Sequence, residues 1–360
     1  MGGSQDELAM VSGRPTGVAG EPSAGAAPRA RRGSRAWPGQ LVSYILTVFA
    51  LVTLAFMLPR AMPGDPLSAQ MEGASPAYLQ DPEVRAAQAA YYGLDQPLVV
   101  QYGRYLRGLT HGDMGTSILY GGTPVTTLVG DRVPWTLLLM GTAISLAVAL
   151  GILAGVHSGW NRARPVDRRL LVAFVGVRSV PVFVLASLAF FLLCGRLGWF
   201  PLGGSSTVFA DFGLARSLVD VAYHLVVPAL VMAIEFAAGY FLLMRAGMVS
   251  QLGEDYLLMG RAKGVPERVL KYRYAMRNAL LPVVTLTGLQ LGFAITGAIF
   301  VETVFNYKGM GLLVVDAVNA RDYPTLQGCF LLISITVVTV GFASDLLYRR
   351  LDPRTNPWAS

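Results

Sequence analysis

Six stretches of this sequence stay apolar for about the thickness of a lipid bilayer, and that removes most folds from consideration. Crossing the hydrocarbon as a helix takes roughly 20 consecutive apolar residues. The runs are Leu41–Leu58, Trp135–Val156, Leu170–Leu193, Leu225–Leu243, Ala279–Phe300 and Leu326–Leu347. Inside lipid a segment must satisfy its own backbone N–H and C=O groups, which leaves helices or a closed barrel. The alternating strands of about ten residues that a barrel needs are not seen. Only 14% of the 360 residues are charged, against about 25% in soluble domains, too little to cover a globule in water. The expected class is an all-α polytopic membrane protein with six transmembrane helices.

The charges fall between the runs. Residues 1–40, rich in Gly, Ala, Ser, Pro and Arg, read as a disordered tail. A cleaved signal peptide does not fit, because the first apolar run begins only near Leu41. Alternate loops carry 19 Lys and Arg on one side and nine on the other. The positive-inside rule then places both termini, the 157–169 loop and the 244–278 segment in the cytoplasm. Topology also accounts for the +7 net charge without a nucleic-acid partner. The membrane-embedded body spans 41–350, with 351–360 a cytoplasmic end. The long external segment, 59–134, carries helix starts at Asp81–Pro82 and Gln96–Pro97 and reads as a small folded insert. Cys194 and Cys329 lie in apolar runs and read as buried hydrophobes, not as a disulfide.

One stretch breaks the apolar pattern. Gly260–Pro282, "GRAKGVPERVLKYRYAMRNALLP", has six Arg or Lys and one acid, Glu267. Gly264 suits a left-handed helix end and Pro266 the first turn of the next helix, so the expected shape is helix, tight turn, helix. Val269, Tyr272 and Met276 recur at i, i+3 and i+7 as the apolar face, with Arg268, Lys271 and Arg273 elsewhere. On pattern alone an interfacial helix held by anionic lipid headgroups accounts for this segment.

The wording of the segment goes further. "DYLLMGRAKGVPERVLKYRYAMRNALLP" resembles the cytoplasmic coupling segment of ABC importer permeases, in the dipeptide, oligopeptide and nickel branch. The likeness rests on Asp255, Tyr256, Arg261, Ala262, Lys263 and Gly264, with Pro266 and Arg268 following, and then Arg277, Asn278, Ala279 and Pro282. It extends to "PGDP" (63–66), "GLDQPLVVQYGRYLRGLTHGDMGTS" (93–117), "RLGWFPLGG" (196–204), "HLVVPAL" (224–230), "VETVFNYKGMGLLVVDAVNARDYPTLQG" (301–328) and "DLLYRRLDPR" (345–354). The long first external segment is similar to that of the larger, B-type permease subunit.

The resemblance implies a type I importer fold in a bacterial inner membrane. It implies a second, related permease, two cytoplasmic ATPase subunits that bind ATP and Mg, and an external substrate-binding protein. Residues 255–268 would dock on an ATPase. The general motif of such importers opens Glu-Ala-Ala, and those slots here hold Leu258, Met259 and Gly260, so no role for an acid carries over. The chain cannot hold the ATPase itself: a P-loop needs Gly-Lys-[Ser/Thr], and Lys263, Lys271 and Lys308 each follow a residue other than glycine. Peptides are the substrate class implied, with nickel chelates or siderophore-like molecules as the alternative within the family. An autonomous channel or secondary transporter is the alternative outside it.

Two charges interrupt apolar runs. Arg178 lies nine residues from Arg169, and Glu235 ten from Arg245. At 1.5 Å per residue both would sit roughly 14 Å deep on consecutive spans, either as a buried ion pair or lining the pathway. Gly288, Gly292 and Thr296 form a small-residue face in the fifth span, for close packing or for the pathway. Glu302 and Asp322 flank the outer end of that span, as contacts for the external binding protein or as helix caps. His111, His157 and His224 are scattered, so neither a metal site nor any other cofactor is expected in this chain.

Overall fold

The structure, a computed structural model, describes residues 36–63, 82–208 and 212–351. The tail before residue 36, Gly64–Pro66 of the PGDP motif, Asp81 and residues 352–360 lie outside these. Eleven helices of eight or more residues make up the described chain, together with short helical turns; the one β-bridge among the described residues joins Thr116 to Pro124.

Helix α1 is Ala36–Ala61, and the insert that follows contributes α2 (Pro82–Tyr92) and α3 (Leu98–Thr110). Helix α4 (Val125–Trp160) and helix α7 (Leu214–Gln251) are the long pair, with 36 and 38 residues. Each is about 55 Å long at 1.5 Å per residue, so both outrun the spans that hydropathy marks. Hydropathy finds only the lipid-matched part of a helix; the turns beyond it are held by packing. Between them lie α5 (Pro165–Arg178) and α6 (Val182–Ala189), the latter continuing as a π-helical turn, Phe190–Arg196. After α8 (Asp255–Ala262) and a short helical arm come α9 (Leu281–Val304), α10 (Met310–Asn319) and α11 (Tyr323–Leu351). The chain divides between Ser43 and Tyr44. Residues 36–43 are the opening turns of α1, and the residues from Tyr44 onward form one unit.

The third apolar run is not one straight helix. Residues Pro165–Arg178 and Val182–Arg196 meet at a bend of 94°. Pro181 is the cause: it has no N–H to give the preceding turn and disfavours a helical residue before it. The two halves cannot both lie along the membrane normal, so the depth read from a straight span does not hold beyond Ser179. Four other helices are long and apolar enough to cross a membrane. Helix α9, at 24 residues, has the length for it as well.

Glycine brings α4 and α7 together. Gly151, Gly155 and Gly159 recur every four residues along one face of α4. A Cβ on Gly155 would stand 2.7 Å from Met244 Cβ and 2.9 Å from Phe241 O, and one on Gly159 2.6 Å from Met248 Cβ. One on Gly151 would overlap Tyr240 Cβ. Three apolar clusters stack along this pair: Leu139, Met232 and Tyr307 in the middle, Met244, Met248 and Leu270 towards the basic loops, and Val129, Leu313 and Cys329 towards the insert. Cys194 and Cys329 are free and buried.

Candidate functional site

The basic stretch folds as helix, turn, helix. Helix α8 ends on Lys263, and Gly264 follows with φ +73°. Val265 N donates to Gly260 O (3.0 Å) and Gly264 N to Arg261 O (2.9 Å), the paired bonds by which a left-handed residue closes a helix end. Pro266 then precedes the second arm, made of Glu267–Val269, the π-helical stretch Leu270–Ala275 and Met276–Ala279. Gly260 lets the arms close: a Cβ there would lie 2.5 Å from Leu270 Cδ2.

The π-helical stretch changes which face is buried. Its wider turn puts Leu270, Lys271, Ala275 and Ala279 inward and leaves Tyr272 exposed. The expected face of Val269, Tyr272 and Met276 assumed a 3.6-residue period, and one extra residue per turn moves it on. Lys271, expected outside, is buried and donates from Nζ to His157 Nδ1 (3.3 Å). Leu257 and Leu270 plug the segment into the core beside Met244 and Met248.

What stays outside is specific. Asp255, Leu258, Met259, Arg261, Ala262, Lys263, Gly264, Pro266 and Arg268 are all exposed, Leu258 and Met259 at 58% and 59%. Tyr256 is half-buried and donates to Gln251 Oε1 (2.7 Å). Arg261 Nε pairs with Glu267 Oε1 across the turn at 2.9 Å. The eight residues singled out from sequence thus converge on one protruding element: an apolar tip with a basic rim.

The element is braced by residues that the sequence reading passed over. Asp167, at the start of α5, is buried and takes a two-pronged ion pair from Arg245 of α7, Nε to Oδ1 at 2.7 Å and Nη2 to Oδ2 at 2.8 Å. Ser158 of α4 donates to the same carboxylate, as does Ala163 N (3.1 Å), which sits at φ +66°. Nothing in "RPVDRR" announces a partner 78 positions away. The Gly151, Gly155 and Gly159 ridge was visible as small residues at four-residue spacing, the same signal that marked α9.

Arg178 and Glu235 do not form an ion pair, for no pairing within 4.0 Å joins them. Arg178 is exposed at the end of α5, at the bend, and Glu235 is half-buried on α7; Arg178 is the charge that acts on Glu235 through space. Gly288, Gly292 and Thr296 fall on one face of α9. The side-chain surroundings of Gly292 and Thr296 lie outside the described residues.

Glu302 and Asp322 are 0% exposed, so of the two readings the sequence left open, contact surface or helix cap, burial favours the cap. Glu302 accepts from Thr136 Oγ1 (2.7 Å), Gly311 N (2.6 Å) and Leu312 N (3.2 Å), and so closes the start of α10. Gly309 and Gly311 make room for it, since a Cβ on either would strike its carboxylate. Asp322 accepts from Ser117 Oγ, Leu119 N (3.1 Å), Thr325 N (3.2 Å) and Thr325 Oγ1 (2.8 Å), and caps α11. Both carboxylates are spent on helix starts. Among the described residues no His, Cys, Asp and Glu group of three or more could hold a metal ion.

Comparison with known proteins shows the family. Residues 147–357, which include the bent span, α7, the helix–turn–helix and α9 to α11, match the model of the binding-protein-dependent transport system inner membrane component. The chain belongs to that family. Among its relatives in this family, a protein of Brucella suis biovar 1, provisionally named a peptide permease, is 39% identical over 314 residues, 85% of this chain and 94% of that one. The oligopeptide transport system permease protein AppB of Bacillus subtilis is 35% identical over 85% of this chain and 94% of its own. The glutathione transport system permease protein GsiC of Escherichia coli K12 is 35% identical over 87% and 96%. Family membership, the helical architecture and the several membrane-length helices together make this a multi-pass membrane transport component.

Proposed function

We propose that this chain is a transmembrane permease subunit of an ATP-driven importer for peptides. It lies with both termini in the cytoplasm and pairs with a second, related permease to form the pathway. Two ATPase subunits, carrying ATP and Mg, and an external binding protein complete the machine. The peptide substrate is supported by the names of relatives that align over more than nine-tenths of their own length.

The observation that carries the coupling role is the exposed apolar tip at Leu258 and Met259, beside a basic rim and backed by Leu257 and Leu270 in the core. Large apolar side chains held out by a rigid, buried base mark a protein contact. A push on this tip passes through the arm into Ala279 and on into α9. The pathway reading of Gly288, Gly292, Thr296, Arg178 and Glu235 belongs to the same proposal. A charge inside the bilayer costs about 2.5–3.5 kcal/mol on insertion scales, and with no ion pair formed, a polar pathway is where Arg178 and Glu235 are tolerated. Gln290 of α9, whose buried Oε1 has no partner, stands beside Gly239, one turn from Glu235.

The test is co-purification of the complex carrying Leu258→Glu and Met259→Glu, with Val99→Glu on the insert as control. The ATPase subunits and peptide uptake should be lost with the first pair and kept with the control. Normal ATPase binding and uptake by the double variant would make the segment a lipid-surface helix.

A further inference from the structure

Two of the sequence stretches that carry the family likeness, 93–117 and 301–328, play no part in the coupling element. The structure brings them together. Where α3, the 113–115 loop, the end of α1 and the start of α11 meet there is a cavity of about 170 Å³.

Two cations and several donors stand among the apolar residues of its walls. Arg60 reaches in from α1, stacked 3.6 Å above the Phe56 ring. Its Nε and Nη2 donate to Gln101 Oε1 (3.3 and 2.8 Å) and its Nη1 to Phe56 O (3.0 Å). A guanidinium has five N–H groups, so N–H on both Nη atoms remains. Among the described residues no carboxylate pairs with it. Arg104 is a second cation on the same wall, lying against the left-handed Gly93 (φ +65°), where any Cβ would overlap its Nη1. Gln327 is 5% exposed and its Nε2 has no partner. The Tyr105 hydroxyl is buried without a partner too, and burial pushes it up to about 12, so it keeps its proton. The acid on the rim, Asp113, is exposed and turns Oδ1 to Gly115 N (2.8 Å).

A pocket whose spare groups are two guanidinium forks, an amide N–H and a hydroxyl is short of one thing, an anionic acceptor. We propose that this cavity binds a carboxylate, held by Arg60 and Arg104 and oriented by Gln327 and Tyr105. The planar fork of arginine matches the two oxygens of a carboxylate, and the volume admits that group with a short stem. The carboxylate comes either from the C-terminus of the transported peptide or from an acidic side chain of the external binding protein.

The first measurement needs only the full chain in phosphatidylcholine nanodiscs. Its thermal unfolding midpoint is followed against N-acetylglycine, the neutral N-acetylglycinamide and inorganic phosphate. A saturable rise is expected with the carboxylate alone, and Arg104→Gln and Gln327→Leu should each weaken it at least tenfold. Arg104 is exposed, so its variant folds whatever becomes of the more buried Gln327. Equal shifts from acid and amide, tighter binding of phosphate, or an unchanged Arg104→Gln would each overturn the site. The second measurement uses the complete importer in proteoliposomes. If the carboxylate is the peptide's, Arg104→Gln narrows the preference for a peptide acid over its amide. If it is the binding protein's, the same variant raises the binding-protein concentration for half-maximal uptake, equally for both peptides. A variant that moves neither refutes a role in import. A wild-type complex that takes up no peptide would instead refute the proposed function and leave the nanodisc result standing.

Discussion

Arg245 of α7 holds Asp167 of α5 in a two-pronged ion pair at 2.7 and 2.8 Å, with the Asp167 side chain only 6% exposed. Because Ser158 and Ala163 N share that carboxylate, one group ties α4, the 161–164 turn, α5 and α7 behind the protruding segment. Asp167→Ala leaves a largely buried guanidinium unpaired, and losing one partner of such a pair costs about 3–5 kcal/mol. Arg245 is 25% exposed, which sets the expected loss at the low end, about 3 kcal/mol. Replacing both residues with apolar ones of similar size, Asp167→Leu with Arg245→Met, should recover most of it. Thermal unfolding in detergent for the two singles and the double reads this directly. Equal loss in the double and in Asp167→Ala would mean that packing, not charge, is what Asp167 supplies.

The glycine ridge on α4 yields a paired prediction. At Gly155 the nearest obstacles to a Cβ are Met244 Cβ at 2.7 Å and the backbone Phe241 O at 2.9 Å. Backbone cannot swing aside, so Gly155→Ala must push the two longest helices apart, at about 1–3 kcal/mol. Gly141, on the same helix, has nothing within 4 Å of a Cβ. Gly141→Ala should be neutral or stabilising by about 0.5–1 kcal/mol, since glycine is the weaker helix former. A lower melting temperature for the first variant alone is the expected result, and equal melting temperatures would show that α4 and α7 are not held at this closeness.

Local chemistry was legible in the sequence, and long-range pairing was not. Gly264 and Pro266 located the turn between the two arms because a left-handed residue and a proline start are properties of single positions. Asp255–Arg268 converge on one element because they are neighbours in the chain. The bend at Pro181 was written in the sequence as well, but a hydropathy window averages across one proline. The inward turn of Lys271 depends on a π-helical period that no residue type announces. Asp167 with Arg245, and Glu302 with Gly311, are contacts between helices; polar residues near loop ends read as solvated until the fold buries them. For Glu302 and Asp322 the sequence left a partner contact and a helix cap both open, and only the burial of the two carboxylates decides for the cap.

Glu302 supplies the remaining prediction. Its carboxylate, 0% exposed, answers Gly311 N, Leu312 N and the Thr136 hydroxyl, and Thr136 Oγ1 in turn receives Met310 N at 2.8 Å. Removing it strands backbone donors at the start of α10 in a site closed to water, where an unsatisfied buried group costs about 1–3 kcal/mol. Glu302→Ala should therefore destabilise the chain by roughly 3 kcal/mol or more, through two amides and the void left behind. Glu302→Gln keeps the shape and one acceptor oxygen, and should lose less than half as much. The measurement is thermal unfolding of both variants, alongside binding of the external binding protein to whatever remains folded. A Glu302→Gln variant with full thermal stability and weakened binding-protein affinity would return this residue to the outer surface; unchanged affinity with graded loss of stability is the outcome that its burial requires.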